Sequence, residues 1–167
     1  MIRVGDVVEC GSNRGRVGAV MPYGGALSIV TAAHLLEGLE GSEGNGAGPA
    51  MVGGVACDAV RVISGYNLAI LQSRNSDEIE RSDIKNPTVG NANLFTADHS
   101  SPCRIQSISS PVYYVYFGCS DLPMPGDIGA PILQDGAVVG MLSSIFPNNC
   151  TGLIVSSDVL SVGSTRR

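Results

Sequence analysis

The chain has 167 residues, of which 22 are glycine, 44% are hydrophobic and 15% are charged. This length can bury a core of its own, and the hydrophobic content excludes a disordered protein, which combines low hydrophobicity with high charge. The net charge of −5 argues against a sequence-independent grip on nucleic acid, which needs a basic face. Abundant glycine with few charges favours short strands joined by turns over a helical bundle.

In the first half, the pattern predicts short strands joined by glycine-containing turns. They cover residues 3–10, 16–21, 26–31, 50–56, 59–63 and 68–72. The Gly24-Gly25 pair predicts a hairpin between the second and third of these strands. Residues 32–37 predict about one helical turn, and residues 38–49 contain five glycines and predict a surface loop.

The second half repeats this strand pattern after a polar segment, residues 74–92, which we interpret as a linker. Strands are predicted at residues 93–96, 104–109, 112–117, 130–134, 137–144 and 152–155. The pair Asp135-Gly136 between two apolar runs predicts a tight hairpin. A short closing helix is compatible with residues 156–162. The sequence thus predicts an all-β protein with half-domains at residues 1–73 and 93–167.

Three segments occur in an order found in one family of enzymes. Residues 28–34 read S-I-V-T-A-A-H, residues 66–71 read Y-N-L-A-I-L, and residues 125–133 read P-G-D-I-G-A-P-I-L. Together they resemble the histidine, aspartate and serine segments of the trypsin-like serine proteases. The resemblance covers roughly residues 15–155 and implies a trypsin-like double barrel of two six-stranded Greek-key barrels. It is nearer to HtrA-type and viral chymotrypsin-like proteases than to secreted, disulfide-bonded trypsins.

The resemblance assigns the catalytic positions to His34, Asn67 and Ile128. In the family the serine attacks, the histidine takes its proton, and the aspartate holds the histidine tautomer and stabilises the imidazolium. An isoleucine has no nucleophile, and an asparagine favours the wrong tautomer, which alone costs about 10⁴ in rate. We therefore expect no peptide hydrolysis.

Other parts of the family's site are matched. Gly126 and the backbone N–H groups of Asp127 and Ile128 stand where the family forms its oxyanion hole. Leu122 falls near the base of the specificity pocket, and Ser143 matches a serine beside the triad aspartate. With Ser143, the following Ser144 and Ile145 line the cleft, on the edge strand to which substrates add.

These assignments predict a pseudoprotease that binds a protein or peptide. One alternative is a serine endopeptidase domain that was inactivated by substitution or uses a relocated nucleophile, for which Cys119, Ser120, Ser143 and Cys150 are the candidates. A second alternative is a structural domain of a larger assembly or polyprotein. No cofactor, metal, membrane or nucleic-acid partner is predicted, and the oligomeric state stays open.

The five cysteines, Cys10, Cys57, Cys103, Cys119 and Cys150, are odd in number and include no close pair. This pattern predicts buried free thiols and no disulfide framework. No signal peptide and no membrane-spanning run is recognised. With Met1 native, we expect an intracellular or cytoplasmic protein, located in the host cytoplasm if the chain is viral.

Overall fold

The fold is that of a computed structural model, which describes residues 1–37, 49–74 and 79–160. The N-terminal half contains strands β1 (Val7–Cys10), β2 (Asn13–Arg16), β3 (Ala19–Tyr23), β4 (Ala26–Ala32), β5 (Ala50–Val52), β6 (Val55–Ile63) and β7 (Leu68–Ser73). Short 3₁₀ turns occupy Ala33–Leu36 and Ser64–Tyr66. The strands form one antiparallel sheet in the order β2-β1-β5-β6-β7-β4-β3.

The N-terminal sheet has seven strands where the sequence predicted a six-stranded barrel. The additional strand is β2, which was predicted in part as a turn. Cys10 pairs with Asn13, so the turn between β1 and β2 has only two residues. Gly11 makes this turn feasible because its φ of +63° is accessible to glycine at little cost. Asn13 is thereby free to begin a strand.

The C-terminal half closes into a six-stranded barrel, as predicted. Its strands are β8 (Gly90–Phe95), β9 (Ser100–Ile105), β10 (Val112–Tyr116), β11 (Pro131–Gln134), β12 (Ala137–Phe146) and β13 (Thr151–Ser156). Their order around the barrel is β10-β13-β12-β11-β8-β9. Gln134 pairs with Ala137, which leaves Asp135 and Gly136 as the predicted two-residue turn, both with positive φ.

From residue 79 onward, the polar segment between the halves contacts both of them. Ile79 forms a parallel bridge with Ile2, and Ile84 forms one with Val138. The Ser82 hydroxyl bonds the backbone of Val20 in β3. One apolar core cluster contains buried residues of both halves. The N-terminal sheet and the C-terminal barrel therefore pack as one unit, and the division at residues 74–92 stays a prediction.

Two other predicted segments are described only in part. Residues 158–160 are helical, and the rest of the predicted closing helix lies outside the described residues. The predicted glycine-rich loop also lies outside them, apart from Pro49. No helix in the described ranges is long and apolar enough to span a bilayer.

The prediction that all five cysteines are free thiols is wrong. Cys119, after β10, forms a disulfide with Cys150, immediately before β13, across 31 residues of sequence. The cysteines outside the disulfide, Cys10, Cys57 and Cys103, are buried as expected. Disulfides persist mainly in oxidising compartments. The free cysteines were one reason to expect an intracellular location, and the disulfide removes that reason. The expectation that this chain, like the proteases it resembles most, has no disulfide is wrong for the same reason.

Candidate functional site

The folding of β4 and β7 brings His34 and Asn67 together. Ala32 at the end of β4 pairs with Leu68 at the start of β7. His34 follows in the 3₁₀ turn after β4, and Asn67 immediately precedes β7. The Ala33 N–H donates to the Asn67 carbonyl at 2.9 Å. Asn67 has a φ of +56°, a left-handed conformation that asparagine adopts more readily than most residues.

The Asn67 side chain is fixed by three hydrogen bonds. Its Oδ1 accepts the backbone N–H of His34 at 2.8 Å, and its Nδ2 donates to the Ser143 hydroxyl at 3.3 Å. The same Nδ2 lies 3.1 Å from His34 Nδ1. Asn67 Oδ1 also lies 3.3 Å from His34 Nδ1, so this ring nitrogen faces both atoms of the amide, and its tautomer decides which of them it bonds.

Ile128 belongs to the core. It is 9% exposed and lies in the apolar cluster that also contains Leu35. Its carbonyl accepts the N–H of Arg16 in β2 at 2.9 Å. A Cβ built on Gly15 would lie 2.6 Å from that carbonyl oxygen, which shows how closely the two halves approach here. The residue that the resemblance matches to the family's nucleophile is therefore a packing residue that joins the halves.

Residues 124–128, which we call the 124–128 turn, form a closed 3₁₀ conformation. The Asp127 N–H donates to the Met124 carbonyl at 2.9 Å, and the Ile128 N–H donates to the Pro125 carbonyl at 3.2 Å. These are the two N–H groups that the resemblance assigned to an oxyanion hole. The structure differs from that expectation, because both donors are used inside the turn. Gly126 is partly exposed and has no heavy atom within 4 Å of a built Cβ.

A charged cluster below this turn was not anticipated from the sequence. Asp127 is only 3% exposed, and its carboxylate accepts a hydrogen bond from the Met124 N–H at 2.9 Å. It also lies 3.3 Å from His99 Nε2 and 3.7 Å from Arg16 Nε. Arg16 is buried, and its guanidinium donates one hydrogen bond to the Gly5 carbonyl and another, at 2.7 Å, to the Asp98 carboxylate. The hydrogen bond from Arg16, and then its charge, holds the pKa of Asp98 below its usual value.

Sequence reasoning missed Arg16 and His99 for a simple reason. Arg16 lies in a strand segment, and His99 lies in a polar turn between β8 and β9 that predicts an exposed position. The side chain of His99 is indeed 40% exposed, but its Nε2 faces the buried carboxylate. The one available signal was Asp127 itself, a carboxylate in an apolar, turn-forming segment that needs a cation when buried.

The predicted cleft residues lie on one end of β12 and on the segment before the turn. Ser143, Ser144 and Ile145 are partly buried, and Leu122 and Ile145 pack against the same core cluster. A built Cβ on Gly152 would lie 2.7 Å from the ring of buried Phe117. A surface cavity of about 350 Å³ lies elsewhere, against residues 80–83 of the linker segment, and contains none of these residues. No group of three metal-ligating side chains occurs within the described ranges.

Comparison with known proteins places the fold. No protein-family model matches the sequence, and no curated protein is similar to it in sequence. Among solved structures, the inactive form of the Rv3671c protease of M. tuberculosis is similar, with a TM-score of 0.68 and 16% identity over 95% of this chain and 85% of that one. Thermobifida fusca Protease A gives a TM-score of 0.67 and 14% identity over 96% and 95% of the two chains.

Further neighbours have the same fold. A glutamic acid-specific serine protease gives a TM-score of 0.68 and 13% identity over 96% of this chain and 97% of that chain. Deg5 gives a TM-score of 0.69 and 13% identity over 94% and 85%. At such identities the likeness shows the fold alone. The predicted all-β, trypsin-like double-barrel class is thereby confirmed.

Proposed function

We propose that this domain of serine-protease fold is catalytically inactive and binds an extended peptide segment of a protein partner. The observation that supports the proposal is Ile128, a buried core residue at the position that the sequence resemblance matches to the family's nucleophile. Without a hydroxyl or thiol there, no acyl-enzyme can form.

Two further features of the site oppose hydrolysis independently. The Ile128 N–H is bonded inside the 124–128 turn, and loss of one oxyanion donor costs about 10²–10³ in rate. Asn67, which contacts the His34 ring, is uncharged and cannot stabilise the imidazolium that would form if His34 took a proton. The nucleophile, the base and the oxyanion donors act as a unit, so we expect no partial activity when several of them are lost.

The relocated-nucleophile alternative loses most of its candidates. Cys119 and Cys150 form the disulfide and carry no thiolate. The Ser143 hydroxyl accepts a hydrogen bond from Asn67, on the Nδ1 side of the imidazole, so it is not placed to give a proton to Nε2. Ser120 lies in an exposed turn, and within the described residues no hydrogen bond joins it to His34.

A free strand edge supports peptide binding. Leu142 donates its N–H to the Ala130 carbonyl, and its own carbonyl accepts the N–H of Gly129. The backbone of Leu142 thus faces away from β13. After Leu142 the register shifts at Ser143, and residues 144–146 pair with β13 on one side. Within the described ranges, no strand pairs with them on the other side.

The register shows which backbone groups face this free edge. The Cys150 carbonyl bonds Phe117 and the Ser156 N–H bonds Pro111, so alternate residues of β13, including Gly152, face β10. Gly152 lies opposite Ile145. In an antiparallel pair such positions do not exchange hydrogen bonds, so the N–H and carbonyl of Ile145 point to the free edge. They are the groups that an added peptide strand would bind.

The first experiment tests the loss of chemistry. We expect no hydrolysis of a peptide library and no labelling of the protein by a fluorophosphonate. The double variant Ile128→Ser/Asn67→Asp should also stay unlabelled, because the 124–128 turn keeps its N–H groups bonded. Labelling of the unmodified protein at any serine would overturn the proposal.

The second experiment tests peptide binding at the edge. Ile145→Pro removes the N–H that faces the free edge and leaves the bonds to β13 in place, since proline is tolerated where an edge N–H faces solvent. Ile145→Val is the matched control that keeps the donor. Peptides selected from a displayed library should bind the valine variant and lose binding to the proline variant. Equal binding to both would refute use of this edge, and no selected peptide at all would favour the structural-domain alternative.

A further inference from the structure

We infer that two neighbouring aromatic side chains beside the free edge, Tyr114 and Phe146, make the site selective for a peptide with an aromatic residue opposite Phe146. This inference rests on the proposed function, since it names the class of peptide that the edge of β12 takes. We call the surface formed by these two rings the aromatic shelf.

The strand register puts the shelf on one face of the barrel. Tyr114 lies opposite Leu153, which lies opposite Ser144, while Tyr116 lies opposite Thr151, which lies opposite Phe146. Residues that lie directly opposite each other in antiparallel strands present their side chains on the same face. Tyr114, Tyr116 and Phe146 therefore share the outer face of β10, β13 and β12.

The two rings reach toward each other across β13. The centroids of Tyr114 and Phe146 are 6.1 Å apart, with the ring planes tilted by 45°. Tyr114 is 51% exposed and Phe146 is 37% exposed, whereas Tyr113, on the inner face, is 2% exposed. A soluble protein seldom leaves such a group of rings uncovered unless it is used for binding.

The shelf is continuous with the unpaired backbone groups of the edge. Phe146 is the neighbour of Ile145, whose N–H and carbonyl face the edge, and its ring stands on the outer face. An antiparallel peptide that pairs with Ile145 has its preceding residue opposite Phe146. Because side chains alternate along a strand, this residue points to the shelf, while the residue bonded to Ile145 points to the face of Leu122.

The chemistry of the shelf identifies the occupant. An aromatic side chain that lies beside Phe146 extends the existing pair of rings to three, in offset or edge-to-face contact. Ser144, Thr151 and Leu153, which complete the outer face around the rings, carry no charge to favour a charged side chain. Main-chain bonds to Ile145 then hold the peptide, and the ring contact selects its sequence.

The test uses two peptides of identical composition whose register is fixed chemically. In each peptide the central residue keeps its N–H, and the residues on both sides of it are N-methylated. The methylated residues cannot donate a backbone hydrogen bond, so the central residue is the one that pairs with Ile145. One peptide carries tryptophan just before the central residue, opposite Phe146, and the other carries it at the centre. Fluorescence anisotropy of the tagged peptides gives both dissociation constants. We expect the first peptide to bind about tenfold more tightly, which is the size of one aromatic contact.

Protein variants separate the shelf from the edge. Phe146→Ala and Tyr114→Ala should abolish the difference between the two peptides, while Val62→Ala, at an exposed apolar position on β6, should preserve it. Urea unfolding of each variant verifies that the fold is intact. Equal binding of both peptides to the unmodified protein, with loss of both in Ile145→Pro, would overturn the shelf and leave the proposed function standing. If neither these nor any library peptide binds, both fail.

Discussion

Buried Arg16 contacts two carboxylates in opposite environments, and this contrast gives a direct test of what holds the 124–128 turn. Its Nη2 is 2.7 Å from Asp98, whose side chain is 64% exposed. Its Nε is 3.7 Å from Asp127, whose side chain is 4% exposed. Distance alone ranks Asp98 first, whereas burial ranks Asp127 first, so neutralising each carboxylate decides between the two effects.

We predict that burial decides the ranking. Two unit charges 3.7 Å apart interact by about 4 kcal/mol at an effective dielectric constant of about 20. Breaking a buried pair by removing one partner costs about 3–5 kcal/mol, because the other charge stays buried. Asp127→Asn and Arg16→Met should each lower the free energy of unfolding by that amount. Asp98→Asn should cost clearly less, since water screens an exposed pair.

The assay is urea unfolding at neutral pH, with the double variant Arg16→Met/Asp127→Asn completing a thermodynamic cycle. The double variant should cost less than the sum of the two single variants, because it removes both members of the buried Arg16–Asp127 pair. A cost for Asp98→Asn equal to or above that for Asp127→Asn would refute the reasoning, and so would strict additivity in the cycle.

Three further predictions concern other parts of the molecule. Gly129→Ala should severely destabilise the fold, because a Cβ there lies 2.4 Å from a backbone oxygen at a φ of +97°, whereas Gly126→Ala, with open space, should be tolerated in the same unfolding assay. Mass spectrometry after alkylation at about pH 8 should show modification of Cys119 and Cys150 only after reduction, and native Cys103, whose pKa burial raises to about 12, should stay unmodified. The pKa of Asp98 is lowered in the fold, so this carboxylate stabilises the protein above its unfolded pKa, and the stabilisation is lost as the pH falls through the lowered pKa. Asp98→Asn should therefore flatten the acid limb of a curve of unfolding free energy against pH. An unchanged acid limb, modification of native Cys103 or a stable Gly129→Ala variant would each contradict the corresponding prediction.

Local sequence rules predicted much of the fold because turn residues and β-branched runs act over a few positions. Asp135-Gly136 fixed a two-residue turn, and the C-terminal barrel followed as predicted. The same rules missed β2, since Gly11 and Ser12 signal a turn without indicating that the residues on both sides of it pair.

By itself, the sequence determined which chemical groups are present at the candidate site. It placed a histidine at 34, an amide at 67 and an aliphatic side chain at 128, the positions that the resemblance matches to the triad, and the proposed loss of catalysis rests on these residue types. No arrangement of the chain can restore a nucleophile at position 128.

Only the tertiary structure decided how those groups are held. The closed 124–128 turn depends on Asp127, which lies within 4 Å of Arg16 from the other half and of His99 from another turn. The Cys119–Cys150 disulfide and the free edge at Ile145 likewise follow from strand pairing between distant segments. Such contacts join residues tens of positions apart, where hydrophobic patterns and turn signals carry no information about which side chains meet.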